Sequence, residues 1–213
     1  SDGDAESVGA AGILSFAEAK LMLFPLRSAK GSYAMVTCPL ALRRYCRDSG
    51  LSIPVPDEPG DMECLAGATV TLKQSGGDGV ALEEYRFASK GDFPEDWATH
   101  LAGVLDDAVL NGAERRFVLL SNGDFAYFAM NACQVSQHVR ISHETGTAEQ
   151  GGLFNEETVP SETLFYTVLS DMARNDEHKR AVEAARENLA DEQLIQFGGN
   201  GTTGLGFCTV KLI

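Results

Sequence analysis

The residues with the clearest chemical potential lie near the C-terminus, where five glycines fall within nine positions of Gln196-Phe197-Gly198-Gly199-Asn200-Gly201-Thr202-Thr203-Gly204-Leu205-Gly206. Glycines at that density let backbone amides approach a partner closely, and adjacent amides can line a concavity that holds an anion. Gly199 to Gly204 satisfy the letter of G-x-G-x-x-G. A dinucleotide fingerprint, however, follows a strand and opens a helix, whereas here a β-type run follows. No lysine follows the glycines, so this is not a Walker loop. A plain glycine-rich turn is the alternative reading.

The other reactive residue types are scattered. His100, His138, His143 and His178 show no zinc-ligand spacing, so no metal site is expected from the residues themselves. Cys38, Cys46, Cys64, Cys133 and Cys208 include no C-x-x-C pair and read as small buried apolar residues of a reduced protein. Asp106-Asp107 reads as a solvated helix face. Glu156-Glu157 sits in an extended stretch between Gly151-Gly152-Leu153-Phe154 and Val159-Pro160. Neighbouring strand residues point to opposite faces, so one of the two acids can look into a given cleft; two exposed loop acids are the alternative. Basic residues gather at 27–30, at Arg43, Arg44 and Arg47, and at Arg115-Arg116, with Arg43 and Arg47 on one helix face.

Composition sets bounds on these possibilities. With 213 residues the chain can bury a real core, and 31 acidic against 17 basic residues give a net charge of −14. That balance argues against a nucleic-acid binder with a basic footprint and against attraction to anionic membranes. The longest apolar run is far short of a membrane span. The acidic opening residues are unlike a signal peptide and read as a loop over 1–12. A cytoplasmic location is expected.

The elements that must position these groups follow from periodicity. Partial alternation predicts one long or two short strands over 13–26, and a run rich in Tyr, Met and Val predicts a strand over 32–38. Thr37 and Pro39 predict a helix start, with Ser49-Gly50 as its end. Prolines make 51–66 an extended connection. Strands are expected at 68–74 and 80–88, joined at 75–79 by a hairpin-like turn. One helix is expected from 94 to Asn111-Gly112, with Trp97, Leu101, Val104, Leu105 and Val109 on its apolar side. A buried strand at 116–120 leads to a helix capped at 121–124. Strict alternation at 135–141 puts Val135, Gln137, Val139 and Ile141 on one face. Extended chain returns over 153–168, a charged helix covers about 176–189, and the residues up to 197 read as running from its end into the glycines. Strands and helices interleave irregularly, which is the signature of an α+β protein with ferredoxin-like pieces.

Several runs, in order from end to end, together resemble one family. They are Ala11-Gly12-Ile13-Leu14-Ser15-Phe16-Ala17-Glu18-Ala19, Leu23-Phe24-Pro25-Leu26-Arg27-Ser28 with Lys30-Gly31, and Val36-Thr37-Cys38-Pro39. Val118-Leu119-Leu120-Ser121 with Asp124-Phe125, Glu144-Thr145-Gly146-Thr147, Gly152 to Pro160, and the glycine stretch complete the set. The chain resembles the RAMP backbone subunit of type III-B CRISPR effector complexes, the fourth protein of the Cmr set. The resemblance implies an α+β, ferredoxin-like (RRM-like) RAMP core with insertions, a single domain over 1–213, and a β-hairpin thumb at about 135–159.

It also implies an N-terminal portion carrying the first ferredoxin-like strand, a guide-RNA-binding segment and a loop with the aspartate assigned to target cleavage. The chain is expected to begin after all three, so the family's metal-dependent endoribonuclease activity stays open for it. The implied partners are crRNA, target RNA, further copies of the chain and other Cmr subunits, with no membrane. A divalent metal, magnesium, is the implied cofactor of target cleavage, although the residues show no site for it. Glu156 falls where the family has an acid implicated in cleavage, while Thr158 stands where a tyrosine is expected. The resemblance places RNA contacts at Arg27, Ser28, Lys30 and Arg140, and at Gly199, Asn200, Gly201 and Thr202 through backbone amides. It requires positive surface from the upstream portion and from neighbouring subunits. Two alternatives stand beside it: an assembly subunit without catalysis, and an unrelated α+β enzyme that binds an anionic metabolite at the glycines.

Overall fold

A computed structural model describes residues 12–105, 107–191 and 193–213. The loop expected over 1–12, up to residue 11, and the Asp106 half of the acidic pair lie outside the described residues. The described residues form two compact units, residues 20–166 and residues 12–19 together with 167–213.

In the larger unit, apolar residues on both faces of the strands force the sheet to be covered on both sides. The strands are β2 (Lys20–Ser28), β3 (Ser32–Thr37), β4 (Glu63–Ala66), β5 (Gly79–Leu82), β6 (Tyr85–Gly91), β7 (Phe117–Leu119) and β10 (Leu164–Tyr166). They form one seven-stranded sheet in the order β10-β2-β3-β7-β4-β6-β5. The β3–β7 and β4–β6 pairs are parallel and the others antiparallel. The sheet curls far enough for Ser28 of β2 to pair with Leu82 of β5. Period-2 alternation divides the core. Phe24, Leu26, Ala34, Val36 and Val118 pack with Phe125 and Phe128. Leu23, Met35, Phe117 and Leu119 pack with Leu42, Tyr45, Trp97 and Leu101.

The covering helices are α1 (Pro39–Ser49), α2 (Glu95–Ala102), α3 (Ala108–Asn111) and α4 (Asn122–Asn131). Cys38, not Thr37, is the N-cap of α1; Pro39 occupies the first turn and Gly50 ends the helix in the left-handed conformation. The single helix expected over 94–111 is two. Gly103 ends α2, and the Asp107 carboxylate accepts from the amides of Val109 and Leu110 to start α3, so Asp107 is a cap and not a solvated face. No strand forms over 68–74, where one bridge joins Leu72 to Gly79. The strand expected over 80–88 turns instead at Glu83-Glu84 into the antiparallel pair β5–β6.

At the end of α1, Asp48 accepts from Lys20, Arg47 and Tyr166. The hydrogen bonds from Arg47 and Lys20 hold its carboxyl well below the usual carboxylate range. A carboxyl whose pKa is depressed by folding contributes stability that is full above its unfolded value and is lost as pH falls towards the folded one. The urea midpoint of Asp48→Asn is therefore expected to lie below that of the unsubstituted chain at neutral pH. The gap should narrow as pH drops below about 4; a constant gap would show that Asp48 is not the titrating group.

Also in this unit, β8 (Gln134–Ile141) and β9 (Ala148–Thr158) form a two-stranded antiparallel hairpin. The second unit holds β1 (Leu14–Phe16) paired with β11 (Leu169–Asp171), helix α5 (Asp176–Ala190), and β12 (Gln193–Gln196) paired with β13 (Phe207–Val210). Asn175 caps α5 through the amide of His178. The last strand thus pairs with residues 193–196, which form a strand and not the end of a helix. Among the described residues, no helix is long and apolar enough to cross a membrane.

Candidate nucleic-acid interface

The glycine stretch is the connection between β12 and β13, built around one side chain. The Gln196 amide donates to the carbonyls of Phe197 (3.0 Å), Gly198 (3.1 Å) and Leu205 (3.3 Å), tying both arms of the loop together. Residues Gly201–Thr203 make one 3-10 turn, and the Asn200 carbonyl accepts from the amides of Thr203 and Leu205, both at 3.1 Å. The expected anion-binding residues therefore share one loop. Gly199, Asn200 and Thr202 are exposed and Gly201 is half-buried. Among the described residues, the amides of Gly198 and Gly199 make no hydrogen bond, so they are open to an external acceptor.

Arg27, Ser28 and Lys30 lie in the larger unit, at the end of β2 and just beyond it, and each already makes side-chain bonds within the fold. Arg27 donates through Nε to Glu83 (2.6 Å), and its guanidinium, paired with that carboxylate, is raised above its ordinary pKa. Ser28 is buried and its hydroxyl donates to the Lys30 carbonyl at 2.9 Å. The Lys30 ammonium donates to the carbonyls of Ala68 (3.2 Å) and Thr71 (2.6 Å), so it fastens the 67–71 turn. Of the three, Arg27 alone projects its charge, with a side chain 85% exposed.

Glu156 and Arg140 stand on the hairpin. Register pairs Glu156 with Ser136, and the acid faces His138 (Nε2–Oε2 3.4 Å), whose ring stacks on Phe154 at 5.4 Å. Spacing along the sequence offers His138 only as a possible metal ligand; its tie to Glu156 follows from the hairpin register. Arg140 Nη1 lies 3.8 Å from Glu149. The opposite hairpin face carries Val135, Val139 and Leu153, which are 64%, 48% and 61% exposed. Alternation identified the Val135-Gln137-Val139 face, but it is open and not packed. Metal-ligating types do not gather: among the described residues, no three His, Cys, Asp or Glu converge on one point.

These features define a mixed α+β protein with a central multistranded sheet, a two-stranded hairpin with exposed apolar residues, and a glycine loop closed by its own hydrogen bonds. The chain belongs to the RAMP superfamily, whose family pattern matches residues 41–209. It is 31% identical over 206 residues to the CRISPR system Cmr endoribonuclease Cmr4 of Pyrococcus furiosus, a match that spans 95% of this chain and 70% of that protein. The crystal structure of oligomeric Cmr4 from Pyrococcus furiosus superposes with a TM-score of 0.72 at 25% identity, covering 94% of this chain and 73% of that one. A cryo-EM structure of the type III-B Cmr-beta complex bound to cognate target RNA contains a chain similar in fold, with a TM-score of 0.68 at 18% identity and coverage of 97% and 72%.

Proposed function

We propose that this chain is a guide-RNA-binding backbone subunit of a type III-B CRISPR ribonucleoprotein in the cytoplasm. In this reading it stacks with further copies of itself and with other Cmr subunits along crRNA, and contributes to cleavage of the paired target RNA. The observation that carries this is the 31% identity to a Cmr endoribonuclease across 95% of the chain. The β8–β9 hairpin serves as the thumb: its exposed Val135, Val139 and Leu153 suit a wedge pushed between bases, because unstacked bases accept apolar contact in place of their neighbours. Arg27, Arg140 and the Gly199–Thr202 amides hold the sugar-phosphate backbone, and the curled sheet supplies the ferredoxin-like core of one RAMP domain.

Glu156 is the acid of the cleavage step, where it moves a proton or orients the reacting hydroxyl beside a kinked phosphodiester. The divalent metal implied for cleavage does not fit a resident site built by the described residues, since no three donors converge. An assembly subunit without catalysis is the competing reading.

The test is reconstitution of the full-length protein with guide RNA and its neighbouring subunits, followed by matched RNA and magnesium. Regularly spaced products are expected. Intact target with guide retained would leave only the scaffold role, and failure to retain guide RNA would overturn the proposal.

A further inference from the structure

Glu83 is an acid in a place that chemistry disfavours twice. It begins the β5–β6 turn with φ +51°, in the left-handed region that glycine occupies readily and other residues rarely do. It also adds negative charge beside an arginine expected to meet RNA. Residues held in such conformations persist when the surroundings fix them, and they concentrate at functional sites.

The surroundings here are Arg27. Glu83 Oε1 accepts from the Arg27 backbone amide at 2.9 Å, Oε2 accepts from Nε at 2.6 Å, and Nη2 completes the ion pair. The Glu83 amide in turn donates to the Arg27 carbonyl at 2.9 Å. One residue therefore grips both the backbone and the side chain of Arg27. The carboxylate is covered, its side chain 13% exposed, while the Arg27 side chain is 85% exposed.

A guanidinium is a rigid fork of five donors. Glu83 occupies the Nε and Nη2 edge, which fixes the plane of the fork and leaves the Nη1 edge for an outside acceptor. The hollow beside it is lined by Arg27, Ser28, Ala29, Glu83 and Glu84. We infer that Glu83 is a positioning residue that holds the Arg27 guanidinium in place for a phosphodiester of single-stranded RNA. This rests on the RNA-binding reading above. A plain exposed ion pair would contribute little and would not require a strained backbone. A pair in which Glu83 merely competes with phosphate for Arg27 would have the opposite effect on binding.

The test measures affinity of the chain for a labelled oligouridine at low salt, together with thermal midpoints. Glu83→Gly removes the carboxylate and relieves the backbone, so its midpoint should hold or rise while affinity falls by about fivefold to tenfold. Arg27→Ala should lose a similar factor and flatten the salt dependence by about one phosphate contact. The double variant should lose no more than Arg27→Ala alone. Glu83→Gln, which keeps the side-chain shape without the charge, should fall between and serves if the glycine variant is poorly folded.

Unchanged or tighter binding by both Glu83 variants, with Arg27→Ala weakened, overturns the positioning role and leaves the RNA reading standing. An Arg27→Ala variant that binds like the unsubstituted chain also overturns it. No binding by the unsubstituted chain overturns the RNA reading itself and this inference with it.

Discussion

Replacing Gly206 with alanine is expected to open the β12–β13 hairpin and to remove the contribution of the glycine loop to RNA binding. Gly206 has φ +77°, and a Cβ there would overlap the carbonyl oxygen of Phe197. The colliding atom is backbone, and it is held in place: the Phe197 amide donates to the Gly206 carbonyl, and Gln196 donates to the Phe197 carbonyl. The strand ends must part to admit the methyl group. A left-handed glycine replaced by alanine costs about 1 kcal/mol or more from backbone strain alone, and the steric overlap adds to that.

The expected result is fast hydrogen exchange across 193–210, an unchanged melt of the larger unit, and RNA affinity reduced by about tenfold. Gly199→Ala is the control, because a Cβ at 199 meets nothing within 4 Å. If both substitutions behave alike, steric closure at Gly206 is not what shapes the loop.

Trp97→Ala should be the most damaging single change to the larger unit. The side chain is completely buried, its ring meets His100 edge-on at 6.0 Å, and its Nε1 donates to the Pro54 carbonyl at 2.9 Å. Truncation leaves a cavity between α2 and the sheet and strips the proline-rich 51–62 connection of a tether. Large aromatic-to-alanine changes cost about 3–5 kcal/mol, a large share of the roughly 5–15 kcal/mol that holds a domain folded. The urea midpoint followed by circular dichroism should drop sharply. Trp97→Phe should recover most of the packing and lose only the tether, a deficit of about 1–3 kcal/mol. A midpoint for Trp97→Ala close to that of the unsubstituted chain would contradict this packing.

Local signals revealed much of this architecture. Tyr, Met and Val content located β3, alternation located β8, Pro39 and Gly50 bracketed α1, and Ser121 to Asp124 marked the start of α4, because each is fixed by residues within a few positions. Two features escaped for physical reasons. The turn between β5 and β6 is made by Glu83-Glu84, where neither glycine nor asparagine announces it and Arg27, far away in sequence, holds it. The break before Asp107 was hidden because Val104 and Leu105 continue the apolar spacing of Trp97 and Leu101. Strand order was likewise non-local: nothing near β3 says that it runs parallel to β7.

For the site, residue type identified which groups carry charge but not where the charge is spent. Lys30 and Arg27 looked equivalent in sequence, yet Lys30 secures the carbonyls of Ala68 and Thr71 while Arg27 faces solvent. The tie between Glu156 and His138 depends on pairing across a turn and past a register shift between Val139 and Ile141, neither of which the residue types fix.

The Gln196 amide bears on how the glycine loop meets a ligand. A run so rich in glycine would ordinarily sample many shapes and surrender that freedom on contact. Here a side chain from the preceding strand already fastens three of its carbonyls. The conformational loss has thus been met during folding, so under the proposed RNA-binding role less ordering would remain on contact and more of the contact energy would be left for affinity.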